Sequence, residues 1–537
     1  MTMTPRRLAV LLAAIFAVTL SIPTLAQDSQ LGRVEFQTSG SPAAQAHFLR
    51  GLAALHSFWY EEALEAFREA TKADPEFMMG FWGEAMAQNH PLWSEQDTAA
   101  ARAVVAKIKD TPKLTARERA YLNAVKLLYG EGDKRSRDAA YSAAMEKIYT
   151  DYPQDLDAAA FYSLSLLGMV RSEEKGYRLQ AKAGAIALDV YQKNPNHPGA
   201  AHYIIHAFDD PEHAIIALPA ARRYADIAPA AHHARHMPSH IFLQLGMWPE
   251  AAASNESAWE VSDAWMKRKN LSPNVRDYHS LHWLLYVYLQ QGRYRKAEDL
   301  LSLMKKTLTD TTYDKLRPGY YQNNYASMAA AFVVETERWE TANTLFTAND
   351  SNSAKDEAMG SHSHGMSTTA MDATSRTSDR GQRLPMLILG LAAARKGTIT
   401  SSQMQESSDI GEIEVAAVAA SVKNDHDYAI KLMTKAVELE DKLGPPSGPP
   451  GLIKPPHELF GELLLCAGKP AEAAEQFRLS LLRQPNRARS LIGAARAAAK
   501  SGDRAAASSL YQKFLAQWQQ ADADLPELKE AKDYLKQ

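Results

Sequence analysis

Apolar residues recur along almost the whole chain at intervals of three and four, the period of amphipathic α-helices, and few stretches alternate as a strand would. The predicted helices come in pairs. In AHFLRGLAALHSFWYEEALEAFREATKADPE, residues 46–76, Gly51 lets two helices approach closely and Ala63 and Ala70 are small contacts on the second helix. Phe67 packs between them, and Pro75 ends the unit. Gly461, Ala473, Phe477 and Pro485 repeat those offsets, a further unit follows with Ala507 and Tyr511, and weaker units centre on Ala251, Ala297, Ala342 and Ala429. Two segments break the pattern. Residues 349–383 are rich in Ser, Thr, Asp and Gly and have no apolar period, which predicts a loosely held insertion. Residues 444–456, GPPSGPPGLIKPP, read as a proline-stiffened connector.

These spacings resemble the 34-residue tetratricopeptide repeat, a helix-turn-helix unit that stacks into a superhelix. The resemblance implies an all-α fold, a tetratricopeptide-repeat superhelix or α-solenoid that can curl until it closes on itself. With the segments read above and below, the chain is expected to divide into a signal peptide at 1–26, a first superhelical region at 27–348, the insertion at 349–383, and C-terminal repeats at 384–537. The resemblance also implies that the first helix of each pair lines the concave side.

The N-terminus reads as a cleavable export signal: Arg6 and Arg7, an apolar run from Leu8 to Leu20, and small residues up to Ala26. That run is too short to span a bilayer, and no later segment is long and apolar enough. The expected destination is the periplasm or the medium. The net charge of −3 becomes −5 once the two arginines leave, which argues against nucleic acid as a partner. The single Cys466 excludes an internal disulfide, so packing must carry the stability.

Ten of the seventeen histidines lie between His197 and His282. His202 and His206, and His236 and His240, are four apart; His279 and His282 are three apart. Such spacing stacks two imidazoles on one helical face, within reach of a shared ion, and imidazole is the commonest ligand for zinc, copper, iron and nickel. Positions 18, 15 and 11 before the second-helix alanine fall on the concave face that the resemblance implies. Counted from Ala251 they are His233, His236 and His240; from Ala297, His279, His282 and Tyr286; from Ala473, Pro455, Glu458 and Glu462. Taken from Ala214, His202 and His206 lie near the same face. The expected metal ligands are therefore His202, His206, His236, His240, His279 and His282, with Glu458 and Glu462 as candidate catalytic bases from a distant repeat. Pro238 is the weak joint, because a proline between His236 and His240 should spoil their i,i+4 geometry. His47, His56, His90, His197 and His426 read as hydrogen-bonded structural residues, His213 and His232 stand open, and Asp209 and Asp210 read as turn or capping residues. The insertion carries Met359, His362, His364, Met366 and Met371, a donor set that also suits copper.

The segments HPGAAHYIIHAF, HMPSHIF, YHSLHWL and PPHELFGELLL resemble a family of exported bacterial tetratricopeptide-repeat proteins with HPGAxHYxIH and HMPSHI motifs, over most of the mature chain. The resemblance implies fold and export and carries no defined activity. The residues themselves point to a transition metal (copper, zinc or iron) held in the groove, with one ion or two activating water or dioxygen. The alternatives are a non-catalytic scaffold holding a peptide or protein partner, and a periplasmic metal carrier with the insertion as its delivery arm.

Overall fold

The computed structural model describes residues 30–171, 176–308, 310, 319–346, 383–399, 407–444 and 446–537. The expected export signal and all the Met and His residues of the insertion lie outside the described residues. The described chain is an all-α solenoid of tetratricopeptide type, interrupted only by a two-residue hairpin pairing Asn89–His90 with Glu95–Gln96. No described helix is long and apolar enough to cross a membrane.

The repeat is visible residue by residue. The second helices Tyr60–Ala73, Trp248–Lys269, Tyr294–Leu308, His426–Glu440, Pro470–Arg483 and Arg504–Gln517 each begin three residues before a reference alanine, and every one of those alanines is buried. Two residues before each of these helices the backbone turns through positive φ, at Phe58, Gly246, Gly292, Asn424, Gly468 and Gly502. Phe67 fills the gap left by Gly51 on one neighbouring helix and Gly83 on the next; a Cβ on either would stand within 3 Å of its ring. Phe477 sits in the same way between Gly461 and Gly493. Small residues thus set the helix spacing and one aromatic closes each layer.

The superhelix closes on itself. Buried residues from 242–346 share one apolar cluster with Ala488, Leu491, Phe514 and Trp518 from the last repeats. Trp248 Nε1 donates to Asn486 O at 2.9 Å, and Trp518 Nε1 donates to Gln290 O at 3.0 Å. The proline connector lies across the middle repeats, where Gln244 Nε2 donates to Pro446 O at 2.8 Å. Gly448 lies so close to Trp283 that a Cβ would stand 2.6 Å from the indole. This closure brings C-terminal residues beside the helices that carry the histidines.

Candidate metal centre

Three consecutive first helices supply the site. Pro198 sits in the first turn of Pro198–Ala207, where its missing N–H costs nothing, and the His197 ring caps the helix by accepting from Ala200 N at 3.2 Å. His202 and His206 then stand one turn apart, with Nε2 atoms 3.1 Å from each other. The next segment runs His232–His236, then Met237, then Pro238–Gln244. Pro238 does not break it: Met237 keeps helical angles (φ −53°, ψ −35°), and the Ser254 hydroxyl donates to Arg235 O, at 2.5 Å, and to His236 O. His236 and His240 keep their one-turn relation, Nε2 to Nε2 at 3.2 Å. The weak joint expected from sequence is therefore sound, because only the proline's N–H is lost and the helical path continues.

The third helix, Tyr278–Gln290, is capped by Asp277, which accepts from Ser280 N and also from His232 Nδ1 at 3.1 Å. That carboxylate ties the helix to the preceding segment and sets the His279 ring 4.7 Å from His236. The six imidazoles fall into two triplets, His202–His206–His233 and His236–His240–His279, and within each the ligand nitrogens lie within 4.8 Å of one another. The triplets adjoin, with His206 to His240 at 5.8 Å and His233 to His236 at 5.9 Å between ring centroids.

What stands behind the rings fixes which nitrogen faces inward. His202 Nδ1 donates to the carbonyl of His56 at 2.7 Å. His236 Nδ1 donates to Asn255 Oδ1 at 2.7 Å, and that amide is itself oriented by donating Nδ2 to Ala251 O. Neither oxygen can donate, so both neutral rings carry their proton on Nδ1 and turn a bare Nε2 to a second imidazole. His233 Nε2 is buried with no hydrogen-bond partner. His240 Nδ1 rests on Asp209 Oδ2 at 2.7 Å, whose other oxygen accepts from Gln244. For metal–nitrogen bonds of about 2.0–2.1 Å, two tetrahedral ligands stand roughly 3.4 Å apart, close to the 3.1 and 3.2 Å between the paired nitrogens.

Burial holds all six below the usual histidine range, with His240 at about 3; neighbouring imidazoles reinforce it for all but His279, where Asp277 opposes it. At neutral pH they are uncharged, the form that ligates. Burial likewise pushes Asp209 up to about 8. Aromatic walls enclose the triplets: Phe58 stacks on His206 and His233 and meets His202 edge-on at 4.3 Å, while Trp283 lies 4.2 Å from His240.

The structure departs from the sequence-derived site at three positions, one expected ligand and two expected bases. His282 is in neither triplet and lines a separate small cavity with Tyr286, Glu335, Pro449 and Pro450. Three residues along a helix leave it some 60° round the axis from His279. Glu458 and Glu462 also lie outside the triplets. Glu458 is wholly buried between Arg487 (2.7 and 3.0 Å), Lys454 (2.9 Å) and Ser490 (2.6 Å), and Glu462 takes Lys454 at 2.6 Å. Burial works to raise Glu458, but Arg487 and Lys454 outweigh it and hold it well below the carboxylate range. A carboxylate so neutralised is a poor base. Sequence reasoning placed His233 on the right face without counting it as a ligand, and it read Asp209 as a cap. Asp210 holds the turn before the next helix, accepting from Glu212 N and His213 N, and Asp209 braces His240.

A third convergent group is His56–Asp157–His197, wholly buried. His56 Nε2 and His197 Nε2 both point to Asp157 Oδ1, at 2.9 and 3.3 Å. His56 Nδ1 meets Tyr203 OH and His197 Nδ1 accepts its cap bond, whereas His197 Nε2 and Asp157 Oδ2 are buried without a hydrogen-bond partner.

Residues 44–77 match the family model for the tetratricopeptide repeat. No curated protein sequence matches the chain. Among solved structures, the Cut9–Hcn1 hetero-tetramer of APC/C is similar at 12% identity and TM-score 0.35, over 92% of this chain and 76% of that one. A tetratricopeptide repeat protein from Parabacteroides merdae is similar at 16% identity and TM-score 0.27, over 57% of this chain and 97% of that one. Yeast Tom70 is similar at 13% identity and TM-score 0.27, over 92% and 88%. Scores this low carry no argument about function.

Proposed function

We propose that this chain is an exported tetratricopeptide-repeat metalloprotein that holds two transition-metal ions side by side, one in His202–His206–His233 and one in His236–His240–His279. The observation that carries the reading is the pair of bare Nε2 atoms, on His202 and His236, each held facing another imidazole nitrogen at about metal-ligand spacing. Three protein ligands leave a coordination position open, the pattern of catalytic rather than structural metal sites. Nitrogen-only triplets suit copper or zinc, whereas non-haem iron oxygenase sites take a carboxylate. Bound there, copper would activate dioxygen and zinc would activate water. The protein's own part is to fix the tautomers, through the His56 carbonyl, Asn255 and Asp209, and to wall the site with Phe58 and Trp283.

Elemental analysis of the mature protein, purified from its own export route, should find about two metal ions per chain. His202→Ala/His206→Ala and His236→Ala/His240→Ala should each remove one. A parent without stoichiometric metal would sink the reading and leave the rival one, a scaffold holding a peptide or protein partner in its groove. Metal that survives both double substitutions would move the site elsewhere. Metal that exchanges freely with chelators would make the protein a carrier rather than an enzyme.

A further inference from the structure

Tyr203 follows the ligand His202 on Pro198–Ala207, is wholly buried, and sets its ring 5.5 Å from that imidazole. Its hydroxyl meets His56 Nδ1 at 2.9 Å, and His56 Nε2 meets Asp157 Oδ1 at 2.9 Å. The direction of each bond follows from the groups themselves. Burial works to raise Asp157, but His197 and His56 outweigh it and hold it well below the carboxylate range. An ionised carboxylate only accepts, so the His56 proton is on Nε2 and Nδ1 is left as an acceptor. An imidazolium at His56 would leave the Tyr203 hydrogen unmet, since among the described residues its hydroxyl has no second partner. Tyr203 therefore donates to His56.

The charge on Asp157 is buried and has no cation beside it. Arg117 is taken by Asp155 at 3.1 Å. His197 cannot supply a positive charge while its Nδ1 accepts from Ala200 N, because an imidazolium has no acceptor nitrogen. A buried carboxylate without a cation is costly. One proton passed from Tyr203 to His56 would turn it into an imidazolium–carboxylate pair. A phenol that lost only an electron would become a buried cation, and one that lost only a proton a buried anion. Losing both together leaves a neutral ring.

His56 also reaches the metal centre. Its carbonyl accepts from His202 Nδ1 at 2.7 Å, so one residue holds the ligand by its backbone and the phenol by its side chain. Tyr224 supplies the contrast: its ring is 5.3 Å from His202, but its hydroxyl meets no imidazole or carboxylate.

We infer that Tyr203 is a redox-active tyrosine, giving one electron to the first-triplet ion and its phenolic proton to His56 Nδ1. The transfer rests on the metal reading above, with copper as the ion and dioxygen as the oxidant that recharges it. The O–H bond of Tyr203 breaks and an N–H bond forms at His56. Tyr203 becomes a neutral phenoxyl radical, and the metal centre is reduced by one electron. Reduction of dioxygen to water takes more electrons than two copper ions hold, and Tyr203 supplies one of the remainder.

The test uses the full mature chain, metal-free and copper-loaded. Metal-free protein is oxidised by a flash-generated ruthenium(III) tris-bipyridine complex, frozen, and read by electron paramagnetic resonance. The expected result is a persistent neutral tyrosyl signal with a hydrogen-bonded phenoxyl oxygen. Tyr203→Phe should lose it and Tyr224→Phe should keep it. His56→Gln, which keeps the carbonyl behind His202, should retain bound copper but lose the hydrogen-bond shift. Copper-loaded protein, reduced and then exposed to dioxygen, should give the same signal. Tyr203→Phe should match the parent in copper content and melting temperature, so that a lost signal is not lost folding. The inference is overturned by the absence of a radical, by one that survives Tyr203→Phe, or by one indifferent to His56→Gln. Elemental analysis separates the two failures: a parent without metal sinks the metal reading, whereas a metal-bound parent without the radical sinks this inference alone.

Discussion

His240 shows how much of this site is decided one atom behind the ligand. Its inward nitrogen depends on where the proton shared with Asp209 resides, and burial lifts Asp209 to about 8. Below that pH the Asp209–His240 pair holds one more proton than a metal-bound imidazole tolerates, so metal must displace it. Apparent affinity at the second triplet should therefore rise about tenfold per pH unit up to about pH 8 and flatten above. Asp209→Asn should flatten the profile and weaken binding about 10–100-fold. Competition titrations with a chelator from pH 6 to 9 check both, and a wild-type affinity independent of pH would show that Asp209 does not govern the ligand. Five of the six converging imidazoles were legible, four of them as i,i+4 pairs on successive first helices, whereas His233 was placed on the face without being counted. Asp209 was not, because next to Asp210 and before Pro211 it has the local signature of a cap.

At the scale of the element, periodic small residues do the positioning. Gly83 and Gly493 each sit one repeat beyond Gly51 and Gly461, against the same phenylalanine ring. Gly83→Ala would drive a Cβ to 2.3 Å from Phe67 and should cost about 1–3 kcal/mol of stability. That outweighs the helix-propensity gain of up to about 1 kcal/mol. Gly468→Ala meets no neighbouring atom and should cost only the left-handed backbone penalty of about 1–2 kcal/mol. Chemical denaturation checks both variants; a Gly83→Ala protein as stable as the parent would refute the close-approach role of Gly83. Pro238 teaches the same lesson in reverse. Sequence marked it as a breaker, and a serine from the neighbouring helix meets the carbonyls beside it.

The whole molecule depends on a buried ionic knot remote in sequence from the histidines. Arg487 pairs with Glu458 and Glu335 at 2.7 Å each and donates to Tyr286 OH at 3.0 Å, on the helix that carries His279. Ala488 N donates to Gln290 Oε1 on that same helix. Glu458 thus helps hold the third ligand helix in place through the last repeats. Arg487→Met leaves buried Glu335 without its paired cation and Glu458 with Lys454 alone, and should cost about 3–5 kcal/mol. Limited proteolysis should then release the C-terminal repeats before the middle ones. Unchanged stability and digestion would mean that the closure does not rest on this knot.

The sequence by itself determined the repeat, its register and the face on which the histidines lie, because each follows from local periodicity and from steric demands within one helical pair. Tertiary structure decided which imidazoles converge, because a helical face spans some 100° and only packing between helices selects within it. That is why His233 joins a triplet and His282 does not. It also decided the fate of Glu458, whose charge is set by Arg487, Lys454 and Ser490, and the proton on His240, which a carboxylate 31 residues away controls. Burial and through-space charge act over distances that helical periodicity cannot encode.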